Sequence, residues 1–218
     1  MIYSKTLEER DYGLMIEPEH VDNVVSVLAD TNYRFEHTHR RWEYGLLLRA
    51  LRANGTKTVL DVGGGGSVFA PSAAMLGMEP IQVDPEPYGD WALQQARKLG
   101  MPLPYIQEDF LKFTTRRKFD AVVSISTLEH IEEDEKFFLR MAEFVKPGGL
   151  LAITVDFHPS GDALLYPEHL RTYTKRDMEH LYNMLWPEFT YFDGAVDYTY
   201  RGADVNSYTF ASMVLKTR

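Results

Sequence analysis

Four consecutive glycines, Gly63 to Gly66, follow closely on an aspartate, Asp61, that ends a short apolar, β-branched run of Thr58, Val59 and Leu60. Ser67 then opens a segment that can be helical. Glycines let backbone pass close to a ligand where a Cβ would block it, and a helix N-terminus adds N–H donors and partial positive charge. Such a turn holds a small polar ligand at the end of a strand. The offsets restrict which ligand. A dinucleotide fingerprint needs G-x-G-x-x-G, but Val68 or Phe69 stands where the third glycine falls. A P-loop needs a lysine after the last glycine, and Ser67 and Val68 stand there. What fits is an acidic residue two places before alternating glycines: Asp61, Gly63 and Gly65, with Ser67 suited to a helix N-cap.

Two more acidic strand ends follow. EPIQVD reads as a strand ending in Asp84, about 20 residues beyond the turn, an offset that suits a carboxylate accepting both hydroxyls of a ribose. Pro85 and Pro87 equally suit a surface turn opened by that aspartate. A third strand over Leu103–Glu108 ends in Glu108, Asp109 and Phe110. There Asp109 could accept from an adenine amine while Phe110 lines the ring's slot; the plain alternative is an exposed strand end.

These residues need elements to hold them. Helical spacing of apolar residues marks Pro18–Ala29, Tyr33–Ala53, Trp91–Leu99 and Glu132–Val145, and the end of a further helix lies over Ser72–Gly77. Within Tyr33–Ala53, the stretch RFEHTHRRWEY reads either as a solvated face or as a lid whose Phe35, His37, Arg40, Arg41 or Tyr44 touches substrate. DAVVSIS is a near-continuous apolar run, as in a buried parallel strand, and Leu150–Val155 is a fifth strand after the hard stop KPGG. Phe157–His169 reads as a loop; the aromatic and His content of Phe157–Tyr173 suits either a cover for the sheet edge or contacts to a polar ring. Thr174 caps a helix to Leu185, with Asp177 at the third position. Trp186–Tyr200 and Val205–Lys216 read as two long strands joined at Arg201–Asp204. The first residues, Met1–Pro18, read as a frayed end or a short arm over a site. Strand and helix alternate, then a hairpin closes the chain: an α/β class protein with residues 1–55 as a helical extension and 56–218 as one globular unit.

The 218 residues, 44% hydrophobic and 25% charged, suffice for one α/β domain. A formal net charge of -9 argues against a grip on nucleic-acid backbone. With no cysteine, disulfides, thiolate metal sites and cysteine nucleophiles are excluded in this chain. No apolar run is long enough for a membrane span and no signal-peptide pattern opens the sequence, so a cytoplasmic protein without membrane insertion is expected.

Taken in order, LDVGGGG, the acidic end of QVD, EDF, FDAVVSISTLEH and VKPGGLLAI resemble the successive motifs of class I methyltransferases that use S-adenosylmethionine, most of all the broad group acting on small molecules whose fourth strand often ends in an LEH-like sequence. The resemblance runs from about Lys57 to Asp156, with the closing YTFASMVLK strand in keeping. It implies a Rossmann-like, seven-stranded, mostly parallel sheet with an antiparallel last strand and helices on both faces. It also implies cofactor binding by Asp61, Gly63, Gly65, Asp84, Pro85, Asp109, Phe110 and Ser124. The reaction would be methyl transfer to a small molecule, with a hydroxyl of a sugar, lipid headgroup or metabolite as acceptor.

Transfer from a sulfonium asks the protein mainly for positioning and exclusion of water, and for a general base only if the acceptor must lose a proton. His130, just past the fourth strand, is the candidate base, with Glu129 beside it; a structural contact to the next helix is the alternative. Glu129, His130, Asp156 and His158 follow the fourth and fifth strands, and carboxylate with imidazole suits a divalent metal. Some metal-using relatives show E-x-x-E-H, and here Ser126 replaces the first Glu, so the sequence leaves a metal open and assigns no ligand. Methylation of cytosine carbon lacks its cysteine, and SISTLEH is not the N-P-P-Y-like run of base and glutamine amino-methylating enzymes. Two other classes stay open: a methyltransferase-like binding protein without turnover, and a nicotinamide oxidoreductase on a related fold. The oligomeric state is not legible.

Overall fold

The computed structural model describes residues 2–7, 39–161, 169–200 and 209–218. The expected helix at 18–29, the side chains of Phe35, His37, Arg40 and Arg41, and the turn at 201–204 lie outside the described residues. In chain order the elements are β1 (Ser4–Lys5), α1 (His39–Ala53), β2 (Thr58–Val62), α2 (Phe69–Met75), β3 (Glu79–Asp84), α3 (Gly89–Leu99), β4 (Tyr105–Gln107), β5 (Phe119–Ile125), a single 3-10 turn at Leu128–His130, α4 (Asp134–Ala142), β6 (Val145–Phe157), α5 (Lys175–Leu185), β7 (Phe189–Tyr191), β8 (Val196–Asp197) and β9 (Thr209–Thr217).

Seven strands form one sheet in the order β4-β3-β2-β5-β6-β9-β7. The pairs from β4 to β6 are parallel, and β9 runs antiparallel to both β6 and β7. Parallel pairing buries both faces, which explains the unbroken apolar runs. Along β5, Ala121 and Val123 enter one core while Val122 enters the other; along β6, Leu150 and Ala152 alternate with Leu151 and Ile153. Leu47, Leu48 and Leu51 of α1 and Phe69 and Ala73 of α2 complete the first core. Phe137, Phe138 and Met141 of α4 and Met178 and Leu181 of α5 complete the second. The capping box expected at Thr174 and Asp177 is present.

At the amino ends of the strands, Asp120 accepts from the backbone N–H groups of Lys57 and Thr58, from the Thr58 hydroxyl and from Lys146 Nζ at 2.8 Å, which joins β2, β5 and β6. Burial would raise the Asp120 carboxyl, but Lys146 and these donors outweigh it and hold it at about 2.

Three expectations need correction. The long strand over Trp186–Tyr200 is two short ones: β7 pairs with β9, whereas β8 leaves the main sheet and pairs with β1. A turn that includes Asp193 and Gly194 (φ +73°) interrupts the run. The described N-terminal residues, 2–7, are not a frayed end. Tyr3 to Leu7 are buried, and Thr6 forms a bridge to Ala211 of β9. Tyr44, weighed as a lid residue, is 3% exposed and packs 5.9 Å from the Phe69 ring in the core. Among the described residues no helix is long and apolar enough to cross a membrane.

Candidate functional site at the carboxyl ends of the strands

Strand order reverses between β2 and β5, so the turns that follow these two strands bound a crevice at the sheet's carboxyl edge. The glycine run forms the turn after β2. Gly63 (φ +72°) and Gly65 (φ +47°) sit in the left-handed region, and the Gly63 N–H donates to Val83 C=O at 2.9 Å, binding the turn to β3. A Cβ on Gly63 would lie 2.4 Å from Thr127 Cγ2, on the far side of the crevice. One on Gly64 would lie 2.4 Å from Asp61 Oδ2. Ser67 is displaced by one residue from its expected capping position: Val68 is the N-cap of α2, and Ser67 Oγ accepts from the Phe69 N–H at 3.3 Å.

Two buried carboxylates face this turn. Asp84 ends β3; its Oδ2 accepts from the Gly65 N–H and its Oδ1 from the Glu86 N–H, both at 2.9 Å. Burial raises its carboxyl, while those two N–H bonds oppose the shift. Asp61, on β2, is 1% exposed. Its Oδ2 meets the Gln82 amide at a long 3.5 Å, and its Oδ1 is buried without a hydrogen-bond partner. Burial pushes the Asp61 carboxyl up to about 7; the Gln82 contact opposes this and the nearby charge of Asp84 adds to it. A crevice floored by two acids, one incompletely satisfied, favours a ligand that brings positive charge and hydroxyl or amine donors. The Tyr88 ring lies over Gly65 and Gly66, and Pro85 is exposed beside Asp84, its C=O accepting from Gln107 Nε2 at 3.3 Å.

The other residues expected to hold a cofactor divide. Asp109 stands at the surface after β4, but its oxygens serve the Leu111 N–H and Lys112 Nζ, both at 3.0 Å. Those bonds, Lys112 first, lower its pKa. Phe110 is 2% exposed and packed among Phe113, Phe137 and Phe144, so it offers no ring face as a slot wall. Ser124 is fully buried and donates to Val62 C=O at 2.9 Å, a strand-to-strand tie rather than a ligand contact.

On the β5 and β6 side, His130 is exposed on the 3-10 turn and Glu129 beside it is fully buried. Its burial removes Glu129 from direct contact with substrate; its charge acts inward, on the Tyr173 hydroxyl. His158 is 4% exposed, and its Nδ1 lies 3.2 Å from the Ser160 N–H and 3.0 Å from Ser160 Oγ, turned into its own loop. Asp156 instead meets His169, whose Nδ1 is 2.9 Å from Asp156 Oδ2. Glu129, His130, Asp156 and His158 therefore do not converge, and no group of three or more potential ligands among the described residues could hold a metal.

Two features escaped sequence reasoning. Glu43 of α1, fully buried, accepts from the hydroxyls of Ser126 at 2.5 Å and Thr154 at 2.6 Å, clamping α1 onto the ends of β5 and β6. Ser126 is held there at φ +44°. The second is His169, which lay at the edge of a presumed loop. The segment from His169 to Tyr173 crosses the same strand ends: the Leu170 N–H donates to Glu129 C=O and the Tyr173 N–H to Asp156 C=O, both at 2.8 Å.

A family model described as a methyltransferase domain matches residues 60–153. The ubiquinone biosynthesis O-methyltransferase of Proteus mirabilis is 31% identical over 141 residues, covering 61% of this chain and 56% of that protein. The protein of the same name from Escherichia coli O157:H7 is 32% identical over 139 residues, covering 58% and 55%. The chain thus spans about half the length of these curated relatives. Among solved structures, the Burkholderia thailandensis 1,6-didemethyltoxoflavin-N1-methyltransferase superposes with a TM-score of 0.67 at 18% identity, covering 97% of this chain and 91% of that one, a likeness of fold. The matched domain takes in the turn after β2, the acidic end of β3 and the segment after β5, so this part of the chain is similar to a methyltransferase domain, and the fold is that of solved S-adenosylmethionine-dependent methyltransferases.

Proposed function

We propose that this chain transfers a methyl group from S-adenosylmethionine to a hydroxyl of a small molecule, such as a sugar, a lipid headgroup or a metabolite. The observation that carries this reading is the pair of buried acids, Asp61 and Asp84, set against a glycine turn whose Gly64 would drive a Cβ into Asp61. The cofactor fits that chemistry: its ribose hydroxyls suit Asp84, already oriented by the Gly65 N–H, and its ammonium suits the incompletely satisfied Asp61. Pro85 and the Asp109 backbone would border the adenine. When bound, it supplies a methyl group on a sulfonium, an activated leaving group.

The chain's own residues then have three tasks. Asp84 and the glycine turn fix the adenosine end. Asp61 balances positive charge where water is excluded, which strengthens the interaction. An imidazole at the ends of β5 and β6 receives the proton that a hydroxyl must lose. Two imidazoles stand there, the exposed His130 and the more buried His169, whose rings lie edge-on with centroids 4.6 Å apart. The hydroxyl as acceptor also agrees with the names of the two relatives, which are O-methyltransferases.

Calorimetric titration with S-adenosylhomocysteine, with NAD for comparison, is the first test. Micromolar binding of the first and none of the second is expected. Binding of NAD alone would overturn the reading in favour of a nicotinamide enzyme. Transfer of labelled methyl to any hydroxylated acceptor would then exclude a binding protein without turnover.

A further inference from the structure

We propose that His169, held by Asp156, is the general base of this site. The inference rests on the O-methyltransferase reading above. Asp156 is the last residue but one of β6, two places beyond its final pairing with β5; its side chain is only 3% exposed, and its Oδ2 lies 2.9 Å from Nδ1 of His169. A buried carboxylate at that distance favours the tautomer with its proton on Nδ1, which makes Nε2 the basic nitrogen. It also stabilises the imidazolium once a proton arrives. The approach is oblique rather than in line. Catalytic contacts commonly straighten when the acceptor binds.

Position supports the assignment. Three groups form a graded line from interior to solvent: Asp156 at 3% exposure, His169 at 12%, and His130 at the surface, its ring edge-on to His169 with centroids 4.6 Å apart. The backbone that follows His169 is pinned. Leu170 is bonded to Glu129 and Tyr173 to Asp156, while the Tyr173 hydroxyl donates to Asp134 Oδ2 at 2.7 Å and Arg171 pairs with Asp134 Oδ1 at 2.5 Å. Among the described residues, the charged and titratable groups near His169 include Asp156 on β6, Glu129 and His130 on the 3-10 turn, and beyond them Tyr173, Arg171 and Asp134. A loop histidine needs no such support merely to fill space.

In the step, the acceptor oxygen bonds to the methyl carbon as the carbon–sulfur bond breaks and leaves its electron pair on sulfur. The hydroxyl proton passes to His169 Nε2. Asp156 stays ionised and acts as a positioning residue. The proton later leaves to solvent on the side of His130.

Two measurements on the full chain test this. The first needs no turnover: modification by diethyl pyrocarbonate at pH 7, mapped by mass spectrometry. His169 is expected to react several-fold faster than the surface His180, and Asp156→Asn should slow His169 several-fold. A His169 that stays unmodified while His130 and His180 react, or one indifferent to Asp156→Asn, overturns the proposal.

The second uses labelled S-adenosylmethionine with 3,4-dihydroxybenzoate as the acceptor probe. His169→Ala and His169→Gln should lower kcat about 100-fold. Affinity for S-adenosylhomocysteine should stay within about twofold, which also reports folding, and added imidazole should restore part of the rate of His169→Ala. The acid limb of the kcat–pH profile should shift in Asp156→Asn, which a purely structural contact would not cause. A rate lost in His130→Ala and kept in His169→Ala reverses the assignment. If the wild type moves no methyl to the probe, the choice of acceptor or the enzyme reading fails, and the modification rates still decide the role of His169.

Discussion

Replacing Asp61 by Asn separates what this carboxylate costs the fold from what it does for a ligand. The native carboxyl titrates at about 7 and the unfolded one at 3.8, because the side chain is buried with one oxygen lacking a partner. A carboxyl raised in the native state stabilises the fold fully below the unfolded value, and that contribution is lost as pH rises through the native value. At pH 8, keeping the ionised group buried costs about 4 kcal/mol, at 1.36 kcal/mol for each tenfold step between the two acidities. At pH 5 the cost is about 2 kcal/mol by the same linkage. Asparagine fills the same space without a charge. Asp61→Asn should therefore be the more stable protein at pH 8, by up to that larger figure, with an advantage about 2–3 kcal/mol smaller at pH 5. In thermal melts the gap between the two proteins should widen by roughly 5–10 °C from pH 5 to pH 8. In calorimetry the variant should bind S-adenosylhomocysteine at least tenfold more weakly, because the charge that burdens the empty fold is the one that meets the cofactor's ammonium. Melts of wild type and variant that keep a constant separation across this pH range would refute the argument, since the cost would then not arise from ionisation.

Asp84→Asn should weaken S-adenosylhomocysteine binding by about 10- to 100-fold in calorimetry, the scale of one or two hydrogen bonds to a charged group, with little change in melting temperature. Asp120→Asn should destabilise the fold by about 2 kcal/mol in urea titrations above pH 5. Because the Asp120 carboxyl is lowered to about 2, that difference should vanish as pH falls from the unfolded value of 3.8 through about 2. Glu43→Ala strands the hydroxyls of Ser126 and Thr154 and should cost about 2–3 kcal/mol, while Glu43→Gln keeps an acceptor and should cost about 1 kcal/mol or less. Gly63→Ala combines a positive φ with a Cβ directed into Thr127 and should abolish binding in the same titration; Thr127→Ala in addition should recover only part, because the backbone strain remains.

The acidic strand ends were legible because each depends on a local signal: an apolar run, an acid, then a turn. β3 ends at Asp84 as expected, and the parallel strands and capping box follow the same logic. Phe110 and Ser124 were not legible, because a position at a strand end does not say which way a side chain points. Phe110 turned to the core and Ser124 to Val62. The Asp156–His169 contact joins residues 13 positions apart in the sequence, and the Glu43–Ser126 bond joins residues 83 positions apart. No periodicity encodes such meetings; they exist only once the sheet has brought β5 and β6 together. The expected C-terminal pairing holds between β7 and β9, but the first strand is shorter than expected, for the opposite reason. The β-propensity of Trp186–Tyr200 was read as one strand, while the Asp193–Gly194 turn splits it and gives its second half to β1.

The placement of β9 governs the order in which the molecule can be assembled. Residues Thr209–Thr217 lie inside the sheet, between β6 and β7, and among the described residues β7 joins the sheet through them. The first residues depend on them too: Leu7 donates to Phe210 C=O, and the Ser4 and Ser212 hydroxyls bond across the gap to Val214 C=O and Tyr3 C=O. As the chain leaves the ribosome, the half of the sheet from β4 to β6 can form early, but β6 keeps an unpaired apolar edge until residue 217 has emerged. An open edge of that kind invites pairing with other chains. The nascent chain is therefore most exposed to aggregation just before synthesis passes this strand, with its candidate site already outlined and its sheet not yet closed.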